Sequence, residues 1–389
     1  MNASTSAAVS DRIRSIDVMR GLVCVLMAID HVRVYSGLPA GGPTAGIFLT
    51  RWVTHFVAPA FCFFAGTGAF FLGQRLQSTA ALRKFLITRG LLLVVLELTV
   101  IRFLWSFNPN LLEFSLAGVI WMLGWCMVLL AVVVGMPART VGWLGVAIVA
   151  LQQLFGLVPV AVRAIASLWA FIYTSPAEAP FGINVLYVIV PWVGVMMAGF
   201  GFGVLMQREN TSRRRLLMRL GLGMTAAWLV IATVAALVGG GGGGGAANDV
   251  GARATPLWMA VLNQQKYPAS QLFLLMTLGP AIALLAYAEQ WKGALGRALE
   301  IFGRVPMWYY MLHLLVIHLT AVAVNGVRLG SFGNAWFTTA PYTRIPDEGR
   351  WSLGLLYLVW AVCILMLYPI CRWYAERKRT NPAPWMRYI

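Results

Sequence analysis

Ile16–Tyr35 reads IDVMRGLVCVLMAIDHVRVY, and this stretch decides what kind of chain it belongs to. It is about as long as one bilayer-crossing helix and mostly apolar. Yet it contains Asp17, Arg20, Asp30, His31 and Arg33. Ionisable groups inside a membrane span are costly, so each one is a functional hypothesis. Arg20 and His31 are eleven residues apart, which at about 100° per residue brings them within roughly 20° of one helix face and about 16 Å apart along the axis. Asp17, Arg20, Cys24, Met27 and His31 make one stripe at helical spacing.

The rest of the chain has the same character. Of 389 residues, 60% are hydrophobic and 11% charged, too few polar side chains to cover a globular protein in water. Apolar runs bounded by charge, Pro or Gly fall near 16–36, 51–73, 85–107, 114–135, 140–160, 183–206, 216–238, 271–291, 301–324 and 351–373. The expectation is an all-α, polytopic integral membrane protein with about ten transmembrane helices. They would form one domain over 1–389, with tails at 1–15 and 374–389.

The net charge of +17 is not spread over one amphipathic surface, as nucleic-acid binding would require; it clusters in alternate loops. Arg12 and Arg14, Arg75 with Arg83 and Lys84, Arg139, Arg208 with Arg213 to Arg215, Lys292 with Arg297, and Arg377 to Arg379 fall on one side of the predicted spans. By the positive-inside rule that side, with both termini, is cytoplasmic. No nucleic-acid partner follows; the basic loops suit membrane lipid with anionic headgroups. The sequence ahead of Arg12 has no apolar region of a cleavable signal, so the first helix is expected to act as an uncleaved anchor. Cys24, Cys62, Cys126, Cys363 and Cys371 lie in or beside apolar runs without a CxxC pair and read as small core residues. The run Gly239–Gly245 lacks the GK[ST] ending of a phosphate loop and reads as an outer linker, and Ala161–Gly182 as an outer loop with a short interfacial helix.

The second polar locus is RWVTHFVAPAFCFFAGTGAF, Arg51–Phe70, where Arg51 and His55 share one face. Asp30 and His31 are adjacent, so their side chains diverge on a helix and a partner for His31 must come from elsewhere. In an antiparallel hairpin His55 would lie beside the end of the first helix.

Three stretches carry a family resemblance: RSIDVMRGLVCVLMAIDHVRVY (Arg14–Tyr35), TRWVTHFVAPAFCFFAGTGAF (Thr50–Phe70) and TRGLLLVVLELTVIRF (Thr88–Phe103). They resemble the catalytic-domain family of heparan-alpha-glucosaminide N-acetyltransferase, in its compact bacterial branch. Arg20 and His31 are also similar to the Arg-x10-His signature of the transmembrane acyltransferase superfamily. The resemblance implies ten or eleven helices around an acyl-CoA channel in a bacterial cytoplasmic membrane. It also implies acyl transfer from cytoplasmic acyl-CoA, with acetyl-CoA as donor, to an extracytoplasmic glycan or other small acceptor. The lysosomal enzyme's pattern has its catalytic histidine in the loop between the first two helices. The corresponding loop here, SGLPAGGPTAGIF (Ser36–Phe48), has none, so that role moves to His31, with His55 second.

His313 and His318 stand in FGRVPMWYYMLHLLVIHLT (Phe302–Thr320), also similar to the family. Five residues put them about 140° apart, so they are no single-face metal pair, and no metal is expected. His313 follows Tyr309 by four and could line the channel or be a hydrogen-bonded core histidine. Glu97 reads as an ion-pair member with Arg89 or Arg102. The catalytic candidates are thus His31, Asp30 and His55, and the donor-binding candidates Arg20, Arg51 and His313. In the enzyme reading His31 acts as general base or briefly carries the acyl group, while Asp30 or His55 orients it. The rival is a proton-coupled secondary transporter using Arg20, Asp30, His31 and Glu97 as a relay, but the second half holds no repeat of RGLVCVLMAIDH. Self-association into a homo-oligomer is compatible with either reading.

Overall fold

The computed structural model describes residues 13–42, 44–110, 113, 115–158, 166–173, 182–238, 256–332, 335–337 and 345–389. The Gly239–Gly245 run and most of 161–182 lie outside the described residues. In chain order the helices are α1 (Arg14–Ser36), α2 (Ala45–Trp52), α3 (Val57–Leu76), α4 (Thr79–Leu96), α5 (Arg102–Ser106), α6 (Val119–Val133), α7 (Ala138–Ala150), α8 (Ala166–Ile172), α9 (Trp192–Met206) and α10 (Asn210–Val238). They continue with α11 (Leu257–Leu262), α12 (Gln271–Ala288), α13 (Ala294–Arg304), α14 (Pro306–Leu329) and α15 (Leu353–Thr380). Strands β1 (Ser115–Ala117) and β2 (Ile183–Val185) form a short parallel ladder, with Ser115 opposite Ile183. Apart from that ladder the described chain is all-α.

Among the described residues, five helical stretches are long and apolar enough to cross a membrane: Ala45–Leu76, α10, α12, α14 and α15. About ten were expected, and the difference has physical causes. Helix α1 contains Asp17, Arg20, Asp30 and Arg33, which lower its mean hydropathy. The helix over the expected span 85–107 passes through a π-helical turn, Glu97–Ile101, and carries Arg89, Glu97 and Arg102, while 301–324 is divided where Pro306 starts α14 after α13 ends. Helices α6, α7 and α9 are 15, 13 and 15 residues long. At about 1.5 Å per residue these span roughly 20–23 Å, less than a hydrocarbon core of about 30 Å.

Helix α1 is the hub, touching α3, α12, α13, α14 and α15. Its closest neighbour is α13, and sequence explains why: a Cβ on Gly21 would collide with the Leu299 carbonyl, and one on Gly303 with the Asp17 carbonyl. Two glycines, one from each helix, let the backbones touch, the small-residue contact of membrane helix pairs. Gly66 and Gly199 do the same between α3 and α9.

Several charged helix ends meet at the start of α1. At the start of α1, Arg14 pairs with Glu300 at 2.8 Å and donates to the carbonyls of Glu289 (2.9 Å) and Trp291 (2.7 Å). Arg213, at the start of α10, pairs with Glu289 at 2.8 Å. The basic segments around 208–215 and 292–304 therefore gather at the same end as Arg14. At the far end of α1 the Trp351 amide donates to the Ser36 carbonyl at 2.9 Å. The expected tail from 374 begins as helix, because α15 runs on to Thr380; Tyr388 then stacks on Phe85 of α4, ring centres 5.5 Å apart.

Glu97 is buried at the start of the π turn, and its partners are not Arg89 or Arg102. Its carboxylate accepts from the backbone amides of Ile120 (2.8 Å) and Trp121 (3.1 Å), in the first turn of α6. A helix N-terminus offers unpaired N–H groups and a positive dipole end, which holds a carboxylate without a cationic side chain. Arg102 donates instead to the carbonyls of Asn108, at 2.7 Å, and Asn110.

Candidate active site

Near the far end of α1, half-buried His31 meets the fully buried His313 of α14. Nδ1 of His31 lies 2.6 Å from Nε2 of His313, with the rings 4.8 Å apart and nearly parallel at 23°. The other nitrogen of His313, Nδ1, lies 3.1 Å from the Tyr309 carbonyl, one turn earlier on α14. A carbonyl can only accept, so His313 Nδ1 carries the proton and its Nε2 is the acceptor. His31 Nδ1 must then donate, which leaves the lone pair of a neutral His31 on Nε2. A backbone carbonyl thus fixes the tautomers of both rings.

The walls around His31 are aromatic. The Trp105 ring lies 4.7 Å away at 66°, and Tyr310 closes another side at 6.1 Å, edge-on. Trp105 sits on α5, held in place by two polar contacts. Tyr35 OH donates to the Trp105 carbonyl at 2.6 Å, and His318 Nδ1 donates to the Leu104 carbonyl at 3.0 Å. His318 also stacks on Phe107, ring centres 3.7 Å apart, so it braces the wall and does not face His31.

The other candidates fall into two groups. Asp30 is paired with Arg33 at 2.9 Å, and Arg33 also donates to the Leu38 carbonyl at 3.0 Å, so Asp30 spends its charge one turn along α1 and not on His31. His55 stands in the 3-10 turn Val53–Phe56 between α2 and α3, buried edge-on against Phe273 at 5.4 Å, with Nδ1 lacking a hydrogen-bond partner. The partner of His31 is therefore His313, where Asp30 or His55 was expected. Arg51 lies within electrostatic reach of Asp30 and Arg33, at the His31 end of α1. Lys266 joins them, lying over the rings of Tyr267 (5.2 Å) and Tyr187 (5.6 Å) and acting on Asp30, His31 and His55.

Arg20 belongs to the opposite end. Its guanidinium donates to the Phe64 carbonyl of α3 at 2.5 Å and lies 3.7 Å from Asp17. Gly68 makes the room, since a Cβ there would stand 2.6 Å from Arg20 Nη2. Arg89 of α4 is within electrostatic reach of Arg20, and its buried Nε lacks a hydrogen-bond partner. Arg20 and Arg51, grouped by sequence as donor contacts, are thus separated by about half the length of α1. Among the described residues no three His, Cys, Asp or Glu side chains converge as a metal site would need.

Sequence reading missed Trp105, Tyr310, Lys266 and Arg89. Only His313 had a local signal, its i, i+4 spacing from Tyr309; its contact with His31 spans 282 residues and no spacing reveals it.

Residues 12–238 match the family model described as heparan-alpha-glucosaminide N-acetyltransferase, catalytic. No curated protein matches the chain.

Proposed function

The family match spans more than half of the chain, so the protein belongs to the heparan-alpha-glucosaminide N-acetyltransferase catalytic family, and from that premise we propose an integral membrane acetyltransferase in which the His31–His313 pair moves the proton of the acceptor. The donor is acetyl-CoA and the acceptor an amine or hydroxyl, with a sugar amine first. The observation that carries this reading is the 2.6 Å contact between His31 Nδ1 and His313 Nε2. It leaves His31 Nε2 with a lone pair in a half-buried, aromatic-walled position, as a general base needs.

His31 Nε2 takes the proton of the acceptor N–H or O–H as that atom attacks the thioester carbonyl. The bond to the carbonyl carbon forms, the C–S bond breaks, and His31 returns the proton to the departing thiolate. While His31 is cationic, its Nδ1–H bond to His313 spreads the charge over two rings. Trp105 and Tyr310 exclude water, which would otherwise intercept the acyl group.

Arg20 and Arg89 suit the anionic part of the donor, because guanidinium groups pair well with phosphate. The Arg20 end is cytoplasmic by the positive-inside rule, so the donor enters there and the acceptor reaches His31 from the outer side, past Arg51 and Lys266. The family gives no support to the transport reading.

Purified protein incubated with acetyl-CoA labelled in the acetyl group tests this. Thiol release that depends on an added amino sugar or alcohol, with label moving to that acceptor, is the expected result. Neither thiol release nor label transfer with any such acceptor would overturn the reading.

A further inference from the structure

A second polar site lies away from the histidine pair, between the start of α10 and the end of α12. A cleft of about 760 Å³ opens there, lined by Arg214, Arg215, Arg219, Tyr287, Glu289 and Lys292 among others. Four cations face one carboxylate, and that carboxylate is already engaged: Glu289 accepts from Arg213 at 2.8 Å and from Ser15 Oγ at 3.2 Å. Arg214 is held over the Tyr287 ring at 4.3 Å, while Arg215, Arg219 and Lys292 are exposed. Among the described residues that line it, the cleft therefore presents more cations than carboxylates.

What lies beside it identifies the occupant. Arg215, Arg219, Leu222, Ala226 and Val230 follow one another at spacings of three or four along one exposed face of α10. That face passes from two guanidiniums to apolar side chains within two turns, with Leu222 54% and Val230 64% exposed. A ligand matching it carries a phosphate at one end and hydrocarbon at the other. We propose that this cleft is a binding site for an anionic glycerophospholipid, its headgroup phosphate on Arg215, Arg219 and Lys292 and an acyl chain along α10.

The site adjoins the anchor of α1. The wall formed by Glu289 and the turn after it also receives Arg14 and Ser15, through the Glu289 and Trp291 carbonyls and the Glu289 carboxylate. A bound headgroup braces that wall and, through it, the first turn of the helix that bears Arg20 and His31. Binding should therefore appear as thermal stabilisation of the full-length protein. This inference stands apart from acyl transfer and survives if that reading fails.

The full-length protein in detergent is titrated with phosphatidylglycerol, phosphatidylcholine, glycerol 3-phosphate or inorganic phosphate, and read by native mass spectrometry and thermal unfolding. Expected are phosphatidylglycerol adducts and a Tm raised by several degrees, with phosphatidylcholine and the two soluble phosphates giving neither. R215Q/R219Q/K292Q, whose side chains are all exposed, should bind phosphatidylglycerol at least tenfold more weakly while unfolding at the wild-type Tm in phosphatidylcholine. If that variant does not fold, R219Q and K292Q separately should each weaken the adduct. Equal phosphatidylglycerol binding by wild type and variants would overturn the proposal. So would equal binding of phosphatidylcholine, and stabilisation by glycerol 3-phosphate or inorganic phosphate would make this a soluble-phosphate site instead.

Discussion

A single backbone carbonyl, that of Tyr309, determines which nitrogen of His31 is available for chemistry, because it fixes His313 and His313 fixes His31. That dependence was only partly legible in the sequence. The stripe from Asp17 to His31 could be read from helical periodicity alone, and α1 does run unbroken through it. The partner of His31 could not, since α14 is brought to α1 by the whole arrangement of helices and not by any local pattern. Arg51 stands at the His31 end of α1, where the expected hairpin with His55 places it, and so away from Arg20, with which it was grouped. Arg20 remains the residue best suited to the donor, with Arg89 now beside it. Arg20→Ala should weaken CoA binding tenfold or more in protein that still folds, since it removes one of two neighbouring guanidiniums. Calorimetry with CoA measures this, and an unchanged affinity would leave Arg20 as a tie between α1 and α3, through its bond to the Phe64 carbonyl.

Among the elements, the π turn at Glu97–Ile101 links one local irregularity to the position of two helices. It points the Glu97 carboxylate at the first turn of α6, whose amides it accepts. Immediately after it comes α5, which presents Trp105 to His31. Glu97→Ala leaves two buried amides without partners, a loss of about 2 kcal/mol or more, so Tm should fall by several degrees. Glu97→Gln keeps an acceptor oxygen and should retain most of the stability. Equal losses in thermal unfolding would mean that the negative charge, and not the pair of hydrogen bonds, is what α6 requires. Sequence reading identified Glu97 as a buried carboxylate but assigned it cationic partners, because backbone N–H groups at a helix start leave no mark in composition.

Across the whole molecule, hydropathy found the apolar segments but not which of them are continuous helices of membrane length. Charges in α1, the π turn after α4 and the break at Pro306 each divide or polarise what a sliding window reads as one span. The grouping of basic ends was legible, and it predicts sidedness. With the five native cysteines buried, Phe332→Cys should react in intact cells with an impermeant thiol reagent, and Arg379→Cys only after lysis; the reverse pattern would invert the topology. In the proposed mechanism His31 and His313 act as one unit, with His31 the base and His313 its orienting partner. The most direct test is acceptor-dependent thiol release from acetyl-CoA by wild type, H31A, H313A and H55A, each at matched CoA binding. H31A should lose turnover by about 100-fold or more, as for a positioned base, H313A should also fall steeply with donor affinity intact, and H55A should keep most of its activity. An H31A protein that turns over near the wild-type rate, or an H55A protein that is inactive while H313A is not, would contradict that mechanism.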